Sequence, residues 1–278
     1  MSRFPSLLII DCYDSAGMQT LARAGASKAG LLYKKMLGAY TSEESMDIVE
    51  ISADTAPDID LDRYDGVCWT GSNLFFSAAN DIVQRHIDTC RALFDNGTPQ
   101  FGSCWAAQLA AVVAGGTCEK NPRGREFGVS RKITLNNAGR EHPMYADKPA
   151  AFDGFTSHAD IVSELPAGAI LLASNSFAAV QALDVQLGNG SFWAVQYHPE
   201  YDCAEVAALS VARRDELISQ GSLRDTDAAN TYTNDLNTLH ETPERRDLAW
   251  KLGIDEDVLD PAVRTLEARN WLRHFFNI

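Results

Sequence analysis

Short apolar runs alternate with stretches of helical periodicity in the first part of this chain, and this alternation constrains the fold more than any other feature. Residues 7–10 form a continuous apolar run, Leu-Leu-Ile-Ile, typical of a strand buried on both faces. Residues 82–96 place their apolar side chains along one helical stripe, which Gly97 ends. Further strands are predicted at 46–52, 65–71 and 98–102, and an alanine-rich helix at 104–114. We therefore expect an α/β fold, a mostly parallel sheet flanked by helices.

Later segments predict antiparallel strands and then helices alone. Strands are predicted at 129–135, 170–173, 180–185 and 192–197, and a Gly-Asn-Gly turn at 188–190 joins the last two. Beyond residue 204 helices are expected at 205–219, from Thr242 onward and at 261–276, with a polar stretch at 225–237. The sequence therefore predicts two units, an α/β domain at 1–205 and a C-terminal helical extension at 206–278.

The extension is too apolar to be a free appendage. It either packs onto the α/β domain, or residues 271–276 form an exposed aromatic patch that makes a homodimer or partner contact. Both interpretations stay open. The large apolar side chains concerned are Trp250, Leu252, Leu266, Trp271, Leu272, Phe275 and Phe276.

The charge balance excludes several classes of partner. Lys and Arg number 24 against 38 Asp and Glu, a net charge of −14, which repels phosphate backbones and anionic lipid. No nucleic-acid or membrane partner is therefore expected. The apolar run at 7–10 stops at Asp11, so neither a signal peptide nor a spanning helix is predicted. Six cysteines without a C-x-x-C pair are typical of reduced thiols, and we expect a cytoplasmic protein.

Cys104 lies between a predicted short strand and a predicted helix, after Gly102 and Ser103. A nucleophile on such a sharp turn is exposed at the carboxyl edge of the sheet, near the free N–H groups of the helix start. The helix N-terminus also favours the thiolate, the reactive form of cysteine. Residues 102–105 alone are explained equally well by a buried structural cysteine that follows a turn glycine.

A second pattern ends the last predicted strand. His198 and Glu200 are two residues apart in an extended segment, so their side chains project to the same side. The carboxylate can then orient the imidazole, while the other ring nitrogen takes the proton of Cys104. This is the nucleophile, base and orienting-group arrangement of covalent acyl transfer. The alternative is a surface histidine beside Pro199.

Several motifs in one order resemble a known family. They are Thr70-Gly71-Ser72, Cys104 with Gln108 four residues later, Gly124-Arg-Glu-Phe-Gly128, His142-Pro-Met-Tyr145, Thr156-Ser-His-Ala-Asp160 and His198-Pro-Glu200. Across residues 6–205 the chain resembles class I, triad-type glutamine amidotransferases, most of all stand-alone relatives of the glutaminase half of GMP synthase. The resemblance implies the flavodoxin-like amidotransferase fold for the domain at 1–205.

The resemblance also implies a glutaminase reaction. Cys104 would attack the glutamine side-chain amide to give a γ-glutamyl thioester, His198 would protonate the departing ammonia, and water would release glutamate. The backbone N–H groups of Gly71 and Trp105 are the candidate oxyanion donors.

The family pattern suggests substrate-binding residues and shows one departure. Gln108, with Ser157, His158 and Asp160, would hold the α-amino and α-carboxylate ends of the substrate. Ala106 stands where the family usually has glycine, and its added methyl can shift the elbow at Cys104 slightly.

Other functions remain open. The pairs His158/Asp160 and His198/Glu200 could be four metal ligands, but a metal would leave Cys104 unexplained, so neither metal nor cofactor is expected. A γ-glutamyl hydrolase or peptidase would use the same site residues as the glutaminase. A pseudoenzyme, acting as a binding or regulatory subunit, is opposed by the intact Cys, His and Glu set.

The acceptor of the ammonia is not encoded in this chain. No phosphate-binding G-x-x-x-x-G-K-[ST] motif occurs, and residues 206–278 are too short for a synthetase domain. Either a separate synthetase subunit uses the ammonia, or the reaction stops at hydrolysis.

Overall fold

The computed structural model describes residues 4–51, 59–76 and 80–278. The strands in these ranges are β1 (Leu7–Asp11), β2 (Met46–Glu50), β3 (Gly66–Trp69), β4 (Gln100–Ser103), β5 (Thr117–Lys120), β6 (Glu126–Leu135), β7 (Ala151–His158), β8 (Asp160–Glu164), β9 (Ile170–Ser174), β10 (Ala182–Leu187) and β11 (Gly190–Val195). The α-helices there are α1 (Ser15–Arg23), α2 (Ala29–Gly38), α3 (Asp81–Asp95), α4 (Trp105–Val113), α5 (Asn137–Glu141), α6 (Cys203–Ala212), α7 (Arg214–Ser219), α8 (Thr226–Glu241), α9 (Arg246–Leu252), α10 (Glu256–Leu259), α11 (Pro261–Arg264) and α12 (Leu266–Phe276).

Nine of the described strands form one sheet, in the order β2-β1-β3-β4-β11-β10-β9-β6-β7, and β5 pairs with β8 in a second, two-stranded sheet. Neighbours from β2 to β11 are parallel. Neighbours from β11 to β7 are antiparallel. The predicted α/β fold, with its parallel core and added antiparallel strands, is confirmed.

Helices cover both faces of the parallel core. Alternate side chains of β1 point to opposite faces, and all are buried: Leu8 and Ile10 belong to the apolar cluster that includes α3 and α4. Leu7 and Ile9 belong to the cluster that includes α2 and α12. Burial on both faces explains why this strand is a continuous apolar run. Within the described residues, no helix is long and apolar enough to cross a membrane.

Several elements differ from the prediction. β5, β7 and β8 were not predicted. The predicted helix at 205–219 is two helices, α6 and α7, which meet at Arg213. The polar stretch at 225–237 is mostly the long helix α8, because Asp225 caps it through the N–H of Ala228 and Leu236 is buried. The strand predicted at 46–52 ends at Glu50, and Ser52 lies outside the described residues.

The last helix forms part of the core. Trp271 and Leu272 are fully buried, and Trp271 lies in the same cluster as Phe101 of β4. A Cβ on Gly66 would lie 2.6 Å from Phe276, so α12 packs directly on β3. The predicted exposed aromatic patch at 271–276 is therefore wrong, because the sheet already covers its largest side chain. A homodimer through the C-terminal helices stays a prediction, as does the division at residue 205, which α6 crosses.

Candidate active site

The backbone at Cys104 forms a sharp elbow between β4 and α4. Its φ of 58° and ψ of −107° place a non-glycine residue in a strained conformation, of the kind found at functional sites. Gly102 makes room for this turn: a Cβ there would lie 2.4 Å from the Cβ of Ala106 and 2.9 Å from the Trp69 carbonyl. The methyl of Ala106 is thus accommodated against Gly102, and the elbow is present despite it.

The parallel pairing of β4 with β11 brings His198 to the elbow. Val195 at the end of β11 lies opposite Ser103 at the end of β4, and its carbonyl accepts a 2.7 Å hydrogen bond from the Cys104 N–H. The chain continues past Val195 along the same edge, where the His198 N–H donates to the Phe155 carbonyl at 2.7 Å. The carboxyl edge of the sheet therefore holds Cys104 and His198 side by side.

His198 is buried between two groups that favour its charged form. Its Nδ1 lies 2.7 Å from Glu200 Oε1, which sets the orientation of the ring. Burial lowers the pKa of the imidazole, but the charges of Glu200 and Cys104 outweigh it and raise the pKa of His198 to about 10. An imidazolium beside a cysteine is the arrangement that stabilises a thiolate.

Two further residues hold Glu200, and the sequence analysis did not find them. The Ser103 hydroxyl donates to Glu200 Oε1 at 2.9 Å, the same oxygen that faces His198. The Tyr33 hydroxyl in turn donates to Ser103 Oγ at 2.7 Å. All three side chains are buried. Ser103 precedes the elbow and could have been suspected from that position, whereas Tyr33 on α2 carries no local signal.

The other five cysteines lack such an environment. Burial raises the pKa of the Cys118 and Cys203 thiols to about 12. Burial also raises the thiol pKa of Cys12, Cys68 and Cys90. These thiols are held in the neutral form, which is unreactive.

The two predicted oxyanion donors flank the elbow. Trp105 is the first residue of α4, where backbone N–H groups have no partner within the helix. Gly71 follows β3, and a Cβ on it would lie 2.9 Å from His198 Cε1 and 3.6 Å from Cys104 Cβ. Both backbone segments thus adjoin the cysteine.

A cavity of about 210 Å³ opens at Cys104. Six of the nine predicted site residues line it: Cys104, Trp105, Gln108, Ser157, His158 and Asp160. Gly71, His198 and Glu200 are buried and are not among its lining residues. Gly71 adjoins Cys104 and His198, and Glu200 holds His198, so the structure brings all nine predicted residues to one region.

The predicted substrate-binding residues also bind one another. Gln108 Nε2 donates to the Asp160 carbonyl at 3.0 Å, and the same carbonyl lies 3.0 Å from His158 Nδ1. His158 Nε2 lies 2.8 Å from Glu126 Oε2. Both ring nitrogens of His158 are thus engaged, so this residue orders the loop. The Asp160 carboxylate and the Gln108 carbonyl oxygen carry none of these bonds.

The geometry does not favour the metal interpretation. His158 is bonded to Glu126 and His198 to Glu200, so each imidazole has its own carboxylate. Within the described ranges, no three His, Cys, Asp or Glu side chains are arranged to hold a metal ion.

Sequence reasoning missed three more residues of this region. Arg125 and Arg213 line the cavity, and Tyr201 stacks on His198. Arg125 lies inside the Gly-Arg-Glu-Phe-Gly motif, and Tyr201 follows His-Pro-Glu, so position alone could have suggested both. Arg213 comes from the junction of α6 and α7 and has no such signal.

The fold and this site together define a class: an α/β protein with a cysteine at a strand-to-helix elbow and a histidine–carboxylate pair beside it. Residues 8–208 match the family model of class-I glutamine amidotransferases. The chain belongs to this family.

Known proteins similar to this chain include full-length and partial relatives. A γ-glutamyl-L-1-hydroxyisopropylamide hydrolase of Pseudomonas sp. is 30% identical, over 94% of this chain and 88% of its own length. A GMP synthase of Exiguobacterium sibiricum is 34% identical, over 39% of this chain and 20% of its own length. The solved structure of a glutamine amidotransferase of Thermotoga maritima superposes with a TM-score of 0.65 at 15% identity, covering 98% of this chain and 99% of its own.

Proposed function

We propose that this protein hydrolyses γ-glutamyl amides, through a thioester on Cys104. The observation that carries the proposal is the buried His198 imidazole, held by Glu200 at 2.7 Å and placed beside a cysteine with elbow geometry. In this proposal residues 1–205 form the amidotransferase domain, and 206–278 form the helical extension.

The proposed reaction has two halves. The Cys104 thiolate attacks the γ-carbonyl carbon, a carbon–sulfur bond forms, and the carbon–nitrogen bond breaks as His198 gives its proton to the departing amine. A water molecule then attacks the thioester, gives a proton to His198, and releases glutamate and the thiolate. The N–H groups of Gly71 and Trp105 stabilise the oxyanion in both halves.

In this proposal the cavity at Cys104 holds the substrate's amino-acid end. The Asp160 carboxylate provides a partner for an α-ammonium group, and the Gln108 side chain on α4 lies next to it. Ser157, whose carbonyl lies 4.0 Å from Cys104 Sγ, borders the position of the scissile amide.

Hydrolysis without a synthetase partner is favoured over ammonia transfer. The relative that matches 94% of this chain is a γ-glutamyl amide hydrolase by name, and most of residues 206–278 lie within that match. From the sequence, a glutaminase that passes ammonia to an unknown acceptor was the first expectation and a γ-glutamyl hydrolase or peptidase the alternative; the similarity to this relative supports the alternative.

A glutaminase that serves a separate synthetase subunit is the second candidate. It is supported by the GMP synthase relative, which matches part of this chain. In that case glutamine is the substrate. The isolated chain should hydrolyse glutamine slowly, and the rate of hydrolysis should rise when the synthetase subunit binds.

The two candidates are separated by kcat/KM of the isolated protein on a panel of substrates. The panel contains glutamine, γ-glutamyl-L-1-hydroxyisopropylamide and several γ-glutamyl dipeptides. Hydrolysis predicts a γ-glutamyl compound other than glutamine cleaved at about 10⁴ M⁻¹s⁻¹ or more, the ordinary range for an enzyme on its own substrate. If glutamine is the best substrate and every other compound is cleaved with a kcat/KM far below this value, the hydrolase proposal is wrong and the partner-coupled glutaminase replaces it.

A further inference from the structure

Arg213 brings a cationic group from the C-terminal extension into the cavity at Cys104. It lies beyond residues 8–208, the part of the chain that matches the family. The chain turns at Arg213, with φ −113° and ψ 12°, between α6 and α7. This break in the helix places the side chain among the residues that line the cavity.

The guanidinium of Arg213 has no ion pair among the described residues, and its Nε is buried without a hydrogen-bond partner there. A buried donor without a partner costs free energy. Binding of a ligand that supplies a hydrogen-bond acceptor to the Arg213 Nε would remove this cost.

A second guanidinium, that of Arg125, lines the same cavity. Its Nε pairs with Glu216 at 2.9 Å and its Nη1 donates to the Ser157 carbonyl at 3.3 Å. Burial and the like charge of Arg213 lower the pKa of Arg125, against the opposing effect of Glu216. Glu216 thus balances Arg125, and Arg213 is the cation at this cavity that has no carboxylate partner among the described residues.

The charges left at this cavity match one substrate class. Arg125 is paired with Glu216, so Arg213 and the Asp160 carboxylate are the charged groups that remain for a substrate. A γ-glutamyl amino acid carries two carboxylates and one ammonium, whereas glutamine and simple γ-glutamyl amides carry one of each. When Asp160 and Gln108 hold the α-amino-acid end, only the former has a further carboxylate for Arg213.

We propose that Arg213 binds the carboxylate of the leaving amino acid, so that γ-glutamyl amino acids and dipeptides are preferred over glutamine and uncharged γ-glutamyl amides. This inference rests on the proposed hydrolysis and names its substrate class. Guanidinium binds carboxylate through paired, charge-assisted hydrogen bonds, which gives both strength and selectivity.

The test compares two substrates that differ only in the leaving-group charge, γ-glutamylglycine and γ-glutamylglycinamide. The wild-type protein should cleave the former with the higher kcat/KM. Arg213→Gln should lower that preference about tenfold or more, and Arg213→Lys should retain part of it. Arg214→Gln is the matched control, because this neighbouring arginine does not line the cavity at Cys104 and its loss should leave the preference unchanged.

Two outcomes overturn the inference. An unchanged preference in Arg213→Gln means that Arg213 does not contact the leaving group. An equal fall for both substrates means that Arg213 holds the α-carboxylate, which both compounds share.

Binding to the Cys104→Ala protein separates this inference from the proposed reaction. Calorimetric titration with γ-glutamylglycine should show affinity that Arg213→Gln weakens about tenfold in the same background. If this holds while the wild-type protein cleaves nothing, the hydrolase proposal fails but the carboxylate site stands. If γ-glutamylglycine does not bind, the carboxylate site is wrong.

Discussion

The ring of Tyr201 lies flat on the imidazole of His198, with ring centroids 3.8 Å apart and planes within 4° of parallel. His198 is charged over a wide pH range because its pKa is raised to about 10. The face of an aromatic ring attracts a cation. Tyr201 therefore holds the imidazolium in place from one face, while Glu200 holds it from its edge.

This stacking predicts a positioning role for Tyr201. Tyr201→Phe keeps the ring and should retain most activity, whereas Tyr201→Leu should lower kcat about tenfold with little change in KM. The pKa of His198, followed by NMR, should fall in Tyr201→Leu and stay near the wild-type value in Tyr201→Phe. If kcat falls equally in both variants and the pKa of His198 is unchanged, the Tyr201 ring does not act through His198.

Glu200 should set the alkaline limit of activity. The imidazolium must protonate the leaving amine, so kcat/KM should fall as the pH rises through about 10, the raised pKa of His198. Glu200→Gln removes the charge that raises this pKa and leaves the burial that lowers it. The alkaline limb should then move to lower pH, and a pH profile with an unmoved limb in Glu200→Gln would contradict the assigned role.

The same pKa predicts how stability depends on pH. Folding raises the pKa of His198 from 6.5 to about 10, so its charged form stabilises the folded state fully below about pH 6.5. This contribution is lost as the pH rises through about 10. By denaturant unfolding, the difference in free energy of unfolding between the wild-type and His198→Ala proteins should be largest below about pH 6.5 and should shrink as the pH rises through about 10. A difference that does not change with pH would contradict the prediction.

The C-terminal extension should be required for stability. Trp271 is fully buried against the sheet, so Trp271→Ala should reduce the free energy of unfolding by about 3–5 kcal/mol. Trp250 is 78% exposed and provides the matched control, since Trp250→Ala should change it by less than about 0.5 kcal/mol. Chemical denaturation measures both. Equal effects of the two substitutions would mean that α12 does not belong to the core.

Ala106→Gly should not improve the enzyme. The elbow at Cys104 is present with alanine at this position, so restoring the family's usual glycine should leave kcat/KM within about twofold. Glycine in a helix should instead cost about 1 kcal/mol of stability. A large rise in kcat/KM would show that the methyl of Ala106 does distort the elbow.

Much of the parallel half of the fold could be predicted because β1, β3 and β4 are buried on both faces and α3 on one. β1 is a continuous apolar run and α3 has one apolar stripe, so the pattern of apolar residues predicts which side chains of each element are buried. β5 and α8 were missed for the opposite reason. β5 is mostly exposed, and α8 is a polar helix whose few buried residues are widely spaced.

The residues of the candidate site are of two kinds, those that a local sequence pattern predicts and those that it does not. Cys104, His198 and Glu200 could be found because the elbow and the extended His-x-Glu pattern are local. Tyr33 and Arg213 reach the site from elements distant in sequence, so only the tertiary structure reveals them. Their roles depend on packing, which no local pattern encodes.

The measurement that tests this account most directly is the mass of the protein quenched during turnover of γ-glutamylglycine. We predict a fraction of the protein heavier by one γ-glutamyl group, with the added mass on the peptide that contains Cys104. Cys118→Ser, the substitution of another cysteine near the cavity, should leave the adduct in place, and Cys104→Ala should abolish both adduct and turnover. An adduct on a different cysteine, or turnover that persists in Cys104→Ala, would contradict the account.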